Sequence, residues 1–161
     1  YRQAREKLVE RVGTFPVKTE FGEMTGYAYT TPFETVQQFA FVHGRLGAGK
    51  DVLVRLHRSN VVADVIEGGK QIECVMRRFA KEGRGILVYL RDGTAGVPLS
   101  RVMDEGVEAQ RVRQWREVGL GAQILRDLGV VSIRNLATSS RSYVGLSGFG
   151  IELLGDERLE G

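Results

Sequence analysis

Residues 117–136, EVGLGAQILRDLGVVSIRNL, carry the pattern that decides the fold. Four apolar residues recur there at the spacing of one helix face: Val118, Ala122, Leu125 and Leu128. This stripe predicts a helix over 117–128, and Gly129 follows where glycine commonly ends a helix. The apolar and β-branched residues of 130–136 then predict a strand. A helix that turns tightly into such a strand is typical of a sheet with helices on its faces.

The remainder of the chain predicts further strands and one more helix. Short apolar runs predict strands at 23–29, 37–43, 52–57, 86–90 and 150–154. Four apolar residues predict a helix over 71–82 that ends at Gly83: Ile72, Val75, Met76 and Phe79. Strands dominate early and alternate with helices later. We therefore expect an α+β or mixed α/β fold, with a mixed sheet and helices packed on it.

Two local patterns bear on the site and on the loops. Alternation along 52–57 places Leu53, Arg55 and His57 on one face of their strand. The turn-forming residues of 93–98 and 138–142 predict loops.

The chain divides into a short leading segment and one domain. Residues 1–14 are mostly charged, with a thin apolar stripe at Leu8, Val9 and Val12, and we interpret them as a linker or junction helix. The domain is expected over 15–161, a length that suits a single core. Because the chain starts at Tyr1 rather than Met, we expect further sequence upstream.

Composition excludes several classes of protein. Hydrophobic residues make up 42% and charged residues 27%, which is the balance of a globular protein. The net charge of +3 is spread without a basic stripe and aromatics are 8%, so we expect no nucleic-acid partner. Apolar runs are too short for a membrane helix. The single cysteine, Cys74, cannot form an internal disulfide, which favours the cytoplasm.

The order of several motifs resembles the GTP cyclohydrolase II family, whose members open the guanine ring of GTP at the start of riboflavin synthesis. The matching stretches run in family order from 15 to 158: FGE at 21–23, RLH at 55–57, KEGRGILVY at 81–89, VGLGAQILRDLGV at 118–130 and GFGIE at 148–152. Residues 1–12 resemble the junction in bifunctional proteins that join a dihydroxybutanone phosphate synthase domain to this one. The resemblance implies that fold and an upstream synthase domain.

The resemblance also implies a zinc ion, held by three thiolates in the pattern C-x10-C-x-C, that activates the attacking water. The first cysteine position falls at Asn60, three residues past His57, and the other two fall within 61–70. Neither place contains a cysteine, and Cys74 lies where the family has no ligand. We therefore expect no metal site and no cofactor in this domain.

A substitute set of ligands is the alternative. Four residues near the lost cysteines could in principle hold zinc: His57, Asp64, Glu67 and Glu73. They lack a tightly spaced pair such as H-x-x-x-H. We interpret His57 as a partly buried, hydrogen-bonded histidine instead.

Other positions that the family uses are changed as well. Its Asp-x-Arg ahead of the long helix corresponds to Gln114-Trp115-Arg116, and an amide such as Gln114 cannot act as a general base. Gln114 and Arg116 are thus vestiges of a catalytic motif. The family's Glu-Gly-Arg corresponds to Gly93-Thr94-Ala95, and its Thr-Asn-Asn-Pro turn to 137–140. The residues that could still contact a nucleotide or phosphate are Arg55, His57, Gln71, Arg116 and Arg141.

These changes define the expected function. We expect a degenerate GTP cyclohydrolase II-like domain of a riboflavin biosynthesis protein, inactive as a cyclohydrolase, with a structural or regulatory role for an upstream 3,4-dihydroxy-2-butanone 4-phosphate synthase domain. The parent protein would keep the synthase activity and form a homodimer. The alternatives are a regulatory module that binds GTP or another nucleotide, and an active cyclohydrolase with rebuilt metal ligands. Glycines 119 and 121 are assigned to close helix packing rather than to a phosphate loop.

Overall fold

A computed structural model describes residues 9–32, 34–91, 106–137 and 148–159. Within these residues seven strands form one mixed sheet in the order β1-β2-β3-β5-β4-β6-β7. The first three are β1 (Glu10–Thr19), β2 (Gly22–Thr31) and β3 (Glu34–His43), and they pair antiparallel in sequence order. The other four are β4 (Val52–Arg58), β5 (Gly85–Leu90), β6 (Ser132–Ala137) and β7 (Glu152–Arg158). The mixed sheet with packed helices confirms the expected fold class.

The second half of the chain winds helices onto both faces of this sheet. β4 pairs in parallel with β5 on one side and with β6 on the other, and β6 pairs in parallel with β7. Helix α1 (Lys70–Glu82) connects β4 to β5, and helix α2 (Val107–Asp127) precedes β6. Parallel neighbours require such crossover connections. A single π-helical turn, Val62–Ile66, lies between β4 and α1.

Alternation along β4 assigns the two helices to opposite faces. Val52, Val54 and Leu56 belong to the core cluster that contains Val118 and Leu125 of α2. The intervening residue Leu53 belongs to a second cluster with residues of α1: Val75, Met76 and Phe79. Since successive side chains of a strand point to opposite faces, Arg55 and His57 lie on the α1 face. The predicted alternation is confirmed.

Most predicted elements are confirmed, with shifted ends. The helix predicted over 71–82 is α1, and Gly83 ends it with φ +85° and a bond from its backbone N–H to the carbonyl of Phe79. The helix predicted over 117–128 is the second half of α2, which begins ten residues earlier at Val107. That first half has no apolar stripe, and its side chains Val112 and Trp115 are exposed. The predicted loops at 93–98 and 138–142 lie outside the described residues.

The helical interpretation of the leading segment is wrong where the structure describes it. Residues 10–14 are the first half of β1 rather than part of a junction helix. Antiparallel pairing with β2 from Glu10 to Thr19, interrupted by a register shift at Val12, overrides the weak helical spacing of Leu8, Val9 and Val12. Val9 itself is buried in the core. The strand predicted over 150–154 likewise starts later, at Glu152, and extends to Arg158.

Glycines permit close packing at the helix and strand junctions. A Cβ built on Gly121 would lie 2.9 Å from Cδ2 of Leu56, and one on Gly119 would lie 3.2 Å from Cζ of Phe149. These contacts confirm that both glycines serve helix packing. At Gly85 the approach is closer, since a Cβ would lie 2.1 Å from Cδ1 of Phe79.

Replacing Gly85 with alanine should therefore destabilise the fold. Phe79 is fully buried and cannot move aside without repacking the α1 face, so we expect Gly85→Ala to lower the free energy of unfolding by about 1 to 3 kcal/mol. Urea denaturation measures this change. Gly13→Ala is the matched control, because a Cβ on Gly13 meets nothing within 4 Å. Equal stability of the two variants would contradict the packing argument.

Candidate functional site

The candidate site lies at the carboxyl ends of the parallel strands β4 and β5. Helix α1, which follows β4, packs on one face of the sheet, and α2, the next described helix after β5, packs on the other face. Open α/β sheets bind ligands outside the carboxyl ends of their strands. We use the word crevice for the space between the carboxyl ends of β4 and β5. The chemistry of the domain is therefore set by the side chains that line it.

On the α1 face, four residues of this crevice form one hydrogen-bonded group, which we call the Asp64 cluster: His57, Asn60, Asp64 and Tyr89. His57 Nε2 lies 3.0 Å from Oδ1 and 3.1 Å from Oδ2 of Asp64. The Tyr89 hydroxyl donates to Oδ2 over 2.7 Å, and the Asn60 backbone N–H donates to the same atom over 3.1 Å. Three donors thus converge on one carboxylate. The side chains of His57 and Asp64 are only 4% and 5% exposed.

Strand register explains how two members of the cluster meet. His57 of β4 is the direct parallel partner of Tyr89 of β5. Their rings stack with centroids 5.3 Å apart. The π-helical turn that follows β4 brings Asp64 back into contact with this pair. Asn60 precedes the turn, and its Oδ1 accepts a hydrogen bond from the backbone N–H of Ala63. The site is therefore built from two strands and the turn that follows the first of them.

The cluster holds its protons in defined places. Burial lowers the pKa of His57, the Asp64 carboxylate raises it, and the Arg55 guanidinium lowers it again, with a net downward shift. The imidazole is thus neutral near pH 7, and because a carboxylate only accepts, Nε2 carries the hydrogen. Nδ1 of His57 is buried and makes no hydrogen bond with the described residues. Burial and the bond to Asp64 raise the pKa of Tyr89, so its phenol stays protonated.

Arg55 and Gln71 lie beside the cluster under α1. Arg55 is buried and donates to the Leu136 carbonyl over 3.2 Å and to Gln71 Oε1 over 3.3 Å. The structure therefore brings together three of the residues predicted to contact a nucleotide, namely Arg55, His57 and Gln71. Their bonds tie β4, β6 and α1 to one another. Nucleotide contact by these residues stays a prediction.

Arg116 is not part of this group. Arg116 is exposed on α2 and so belongs to the opposite face of the sheet. Gln114 lies in the same helix, but its side chain is outside the described part of the structure, as is the whole of Arg141. On the α2 face, an ion pair joins the end of β4 to α2. Arg58 donates to both carboxylate oxygens of Glu117, over 2.7 and 2.9 Å.

The residues present do not fit the zinc ion that the family resemblance implies. Within the described ranges, no three His, Cys, Asp or Glu side chains come close enough to hold a metal. Both oxygens of Asp64 already accept hydrogen bonds, and the free nitrogen of His57 lies near the cationic Arg55. Glu73 pairs with Arg77 over 2.8 Å, and Cys74 is a half-buried free thiol on α1. No step of metal chemistry is derived for this site.

Two of the important side chains were outside the predicted site. The sequence predicts Tyr89 only as part of a strand, and it offers Asp64 only as a substitute metal ligand. Parallel pairing of two strands joined by a helix would have placed Tyr89 beside His57, if the register had been known. The contact of Asp64 with these two residues could not be predicted in this way, because a five-residue π-helical turn leaves no regular spacing in the sequence.

The fold and the altered crevice define a member of one enzyme family. The chain belongs to the GTP cyclohydrolase II family, whose model matches residues 10–158. Individual relatives are riboflavin biosynthesis proteins. Monofunctional riboflavin biosynthesis protein RIBA 2 of Arabidopsis thaliana is 37% identical over 96% of this chain and 35% of its own length. Riboflavin biosynthesis protein RibBA of Bacillus cereus is 30% identical over 96% of this chain and 43% of its own.

A solved structure extends the comparison. RibBX of A. baumannii, described as a two-domain 3,4-dihydroxy-2-butanone 4-phosphate synthase, superposes with a TM-score of 0.70 at 26% identity. The match covers 95% of this chain and 42% of RibBX. The chain thus spans about a third to two fifths of the relatives that it matches.

Cellular location stays a prediction. The plant relative carries the word chloroplastic in its name, so family membership by itself does not point to the cytoplasm. Across the described ranges, no helix has the length and apolar character needed to cross a membrane.

The lowered pKa of His57 predicts acid sensitivity. Below about pH 6.5 an unfolded chain protonates this histidine while the folded chain does not, so the unfolded state binds more protons. Stability should therefore fall as the pH drops from 7.5 to 5.5, by up to about 1 kcal/mol from this residue. Urea unfolding at the two pH values measures the change. In His57→Gln the difference between the two pH values should shrink, and an unchanged difference would contradict the assignment.

Proposed function

We propose that this chain is a GTP cyclohydrolase II-like domain that does not carry out zinc-dependent ring opening. Its role is structural or regulatory, in support of a 3,4-dihydroxy-2-butanone 4-phosphate synthase domain of the same riboflavin biosynthesis protein. The observation that carries the proposal is the Asp64 cluster. It fills the crevice where the family resemblance implies the metal, with a carboxylate that three donors have already engaged.

The chemistry of the site supports this. A catalytic zinc needs three protein ligands and an open position for water. The described residues offer no such set, and the carboxylate that could act as a base is buried and fully hydrogen-bonded. Loss of the acidic residue at Gln114 removes the second proton acceptor that the family motif implies.

The comparisons support the partner domain. RibBX is described as a two-domain 3,4-dihydroxy-2-butanone 4-phosphate synthase, and the match covers 95% of this chain and 42% of RibBX. The names of other relatives include bifunctional proteins, such as riboflavin biosynthesis protein RIBA 1 of Arabidopsis thaliana. A domain that keeps the family fold, while the Asp64 cluster occupies the crevice, is consistent with a role in contacting the synthase domain. Homodimer formation and a cytoplasmic location are further parts of this proposal.

The first test measures metal content and GTP turnover together. The protein carrying this domain, produced with added zinc, should contain far less than one zinc per chain and release no formate from GTP. A family member that keeps the C-x10-C-x-C cysteines, prepared in parallel, is the positive control for the assay. Stoichiometric zinc together with formate release would overturn the proposal in favour of rebuilt ligands.

The second test addresses the supporting role. Deleting residues 10–161 from the parent protein should lower synthase activity or change its oligomeric state, because the contacts of this domain would be lost. Activity assays and light scattering on the full-length and shortened proteins measure both effects. The deletion starts at residue 10 because β1 begins there. A shortened protein with unchanged activity and unchanged assembly would show that the domain has no such role.

A further inference from the structure

We propose that the Asp64 carboxylate holds the segment between β4 and α1, residues 59–69, against the sheet without a metal ion. A hydrogen-bonded side-chain cluster would thus take the structural place of the zinc ligands that the family resemblance implies. This inference deepens the proposed function and rests on it in one respect, since both require that zinc is absent from this segment.

The segment has little apolar attachment of its own. Its π-helical turn, Val62–Ile66, contains no buried residue. Three apolar side chains in and beside it are exposed: Val61 by 38%, Val65 by 65% and Ile66 by 76%. Burial of apolar surface is the usual source of stability for a connecting segment. Here that source is weak, so polar contacts have to hold the segment in place.

Asp64 provides these contacts. It is the member of the turn that reaches both parallel strands, through His57 of β4 and Tyr89 of β5. Its side chain is 5% exposed although its neighbours Val65 and Ile66 are exposed. Hydrogen bonds to a charged group inside a protein are among the stronger ones, and removal of the charged partner is costly. The other end of the segment is tied by the Ser59 N–H, which donates to the Leu90 carbonyl over 2.7 Å.

The backbone around Asp64 is also closely packed. Gly69 has φ +63°, and a Cβ on it would lie 2.7 Å from the Asp64 carbonyl oxygen. Its N–H donates to the Ala63 carbonyl over 2.9 Å. The chain therefore folds back onto the turn just before α1 begins. This arrangement fixes the Asp64 main chain while its side chain points to the strands.

A metal in this position would have to displace these contacts. Nε2 of His57 already faces Asp64, and both Asp64 oxygens accept hydrogen bonds from neutral donors or from the backbone. The nearby guanidinium of Arg55 acts electrostatically on His57 and would repel a cation. Both Asp64 oxygens are thus engaged by donors of the protein, whereas Nδ1 of His57 has no hydrogen bond with the described residues. A single nitrogen next to a guanidinium does not supply the set of ligands that a divalent ion needs.

The decisive variant is Asp64→Asn. An amide keeps the shape of the side chain but has one acceptor oxygen, so it cannot accept from three donors. We expect the melting temperature to fall by roughly 5 to 15 °C. Hydrogen exchange of the amides in 59–69 should accelerate by about tenfold or more relative to the sheet, since the segment opens locally. Tyr89→Phe, which removes a single donor, should show a smaller acceleration in the same peptide.

Two controls separate this effect from loss of charge and from metal. Glu23→Gln removes a carboxylate charge from the exposed surface of β2 and should leave both measurements unchanged. The unmodified protein should give the same melting temperature and the same exchange in 59–69 with EDTA, with added zinc and with neither. Normal exchange of 59–69 in Asp64→Asn would overturn the inference. Faster exchange of the unmodified protein in EDTA would overturn it as well.

These outcomes are distinguishable from failure of the proposed function. If EDTA loosens 59–69 but GTP yields no formate, the metal-free segment is disproved while the non-catalytic role stands. If formate is released with zinc held by other residues, and Asp64→Asn still loosens 59–69, the proposed function fails while the role of Asp64 stands.

Discussion

The parallel pairing of β4 with β5 is the constraint on which the remainder of the structure depends. It requires the crossover that α1 provides, and it sets His57 beside Tyr89 at the carboxyl ends of the two strands. The same pairing brings the carboxyl ends of β4 and β5 together, which is where open α/β sheets bind ligands. The chemistry of the candidate site therefore depends on the side chains at the carboxyl ends of β4 and β5.

Sequence alone predicted the elements whose periodicity is strong. The stripe ending at Gly83 gave α1, and alternation along β4 placed Arg55 and His57 on one face, because burial on both sides of the sheet imposes these patterns. It failed where pairing outweighs local propensity, as at residues 10–14. It also missed the first half of α2, which carries no apolar stripe to mark it.

The sequence predicted which residues the site lacks but not which residues form it. The absence of cysteines at the family's ligand positions can be seen directly in the sequence. The Asp64 cluster cannot, because Asp64 and Tyr89 are 25 residues apart and meet through a strand register and an irregular turn. The ion pair of Arg58 with Glu117 was hidden for the same reason. Contacts between distant residues need the folded chain.

The energetics of burial explain why the Asp64 carboxylate has several hydrogen-bond donors around it. A buried carboxylate is costly unless donors satisfy it, and a buried imidazole without partners is costly too. The buried polar groups at this site therefore need partners within the protein. Asp64 meets this requirement, since it accepts from His57, Tyr89 and the Asn60 backbone at once. Under the proposed function, a carboxylate engaged in this way serves neither as a metal ligand nor as a general base. The contacts that we propose to hold the segment are then the same ones that separate this domain from the family chemistry.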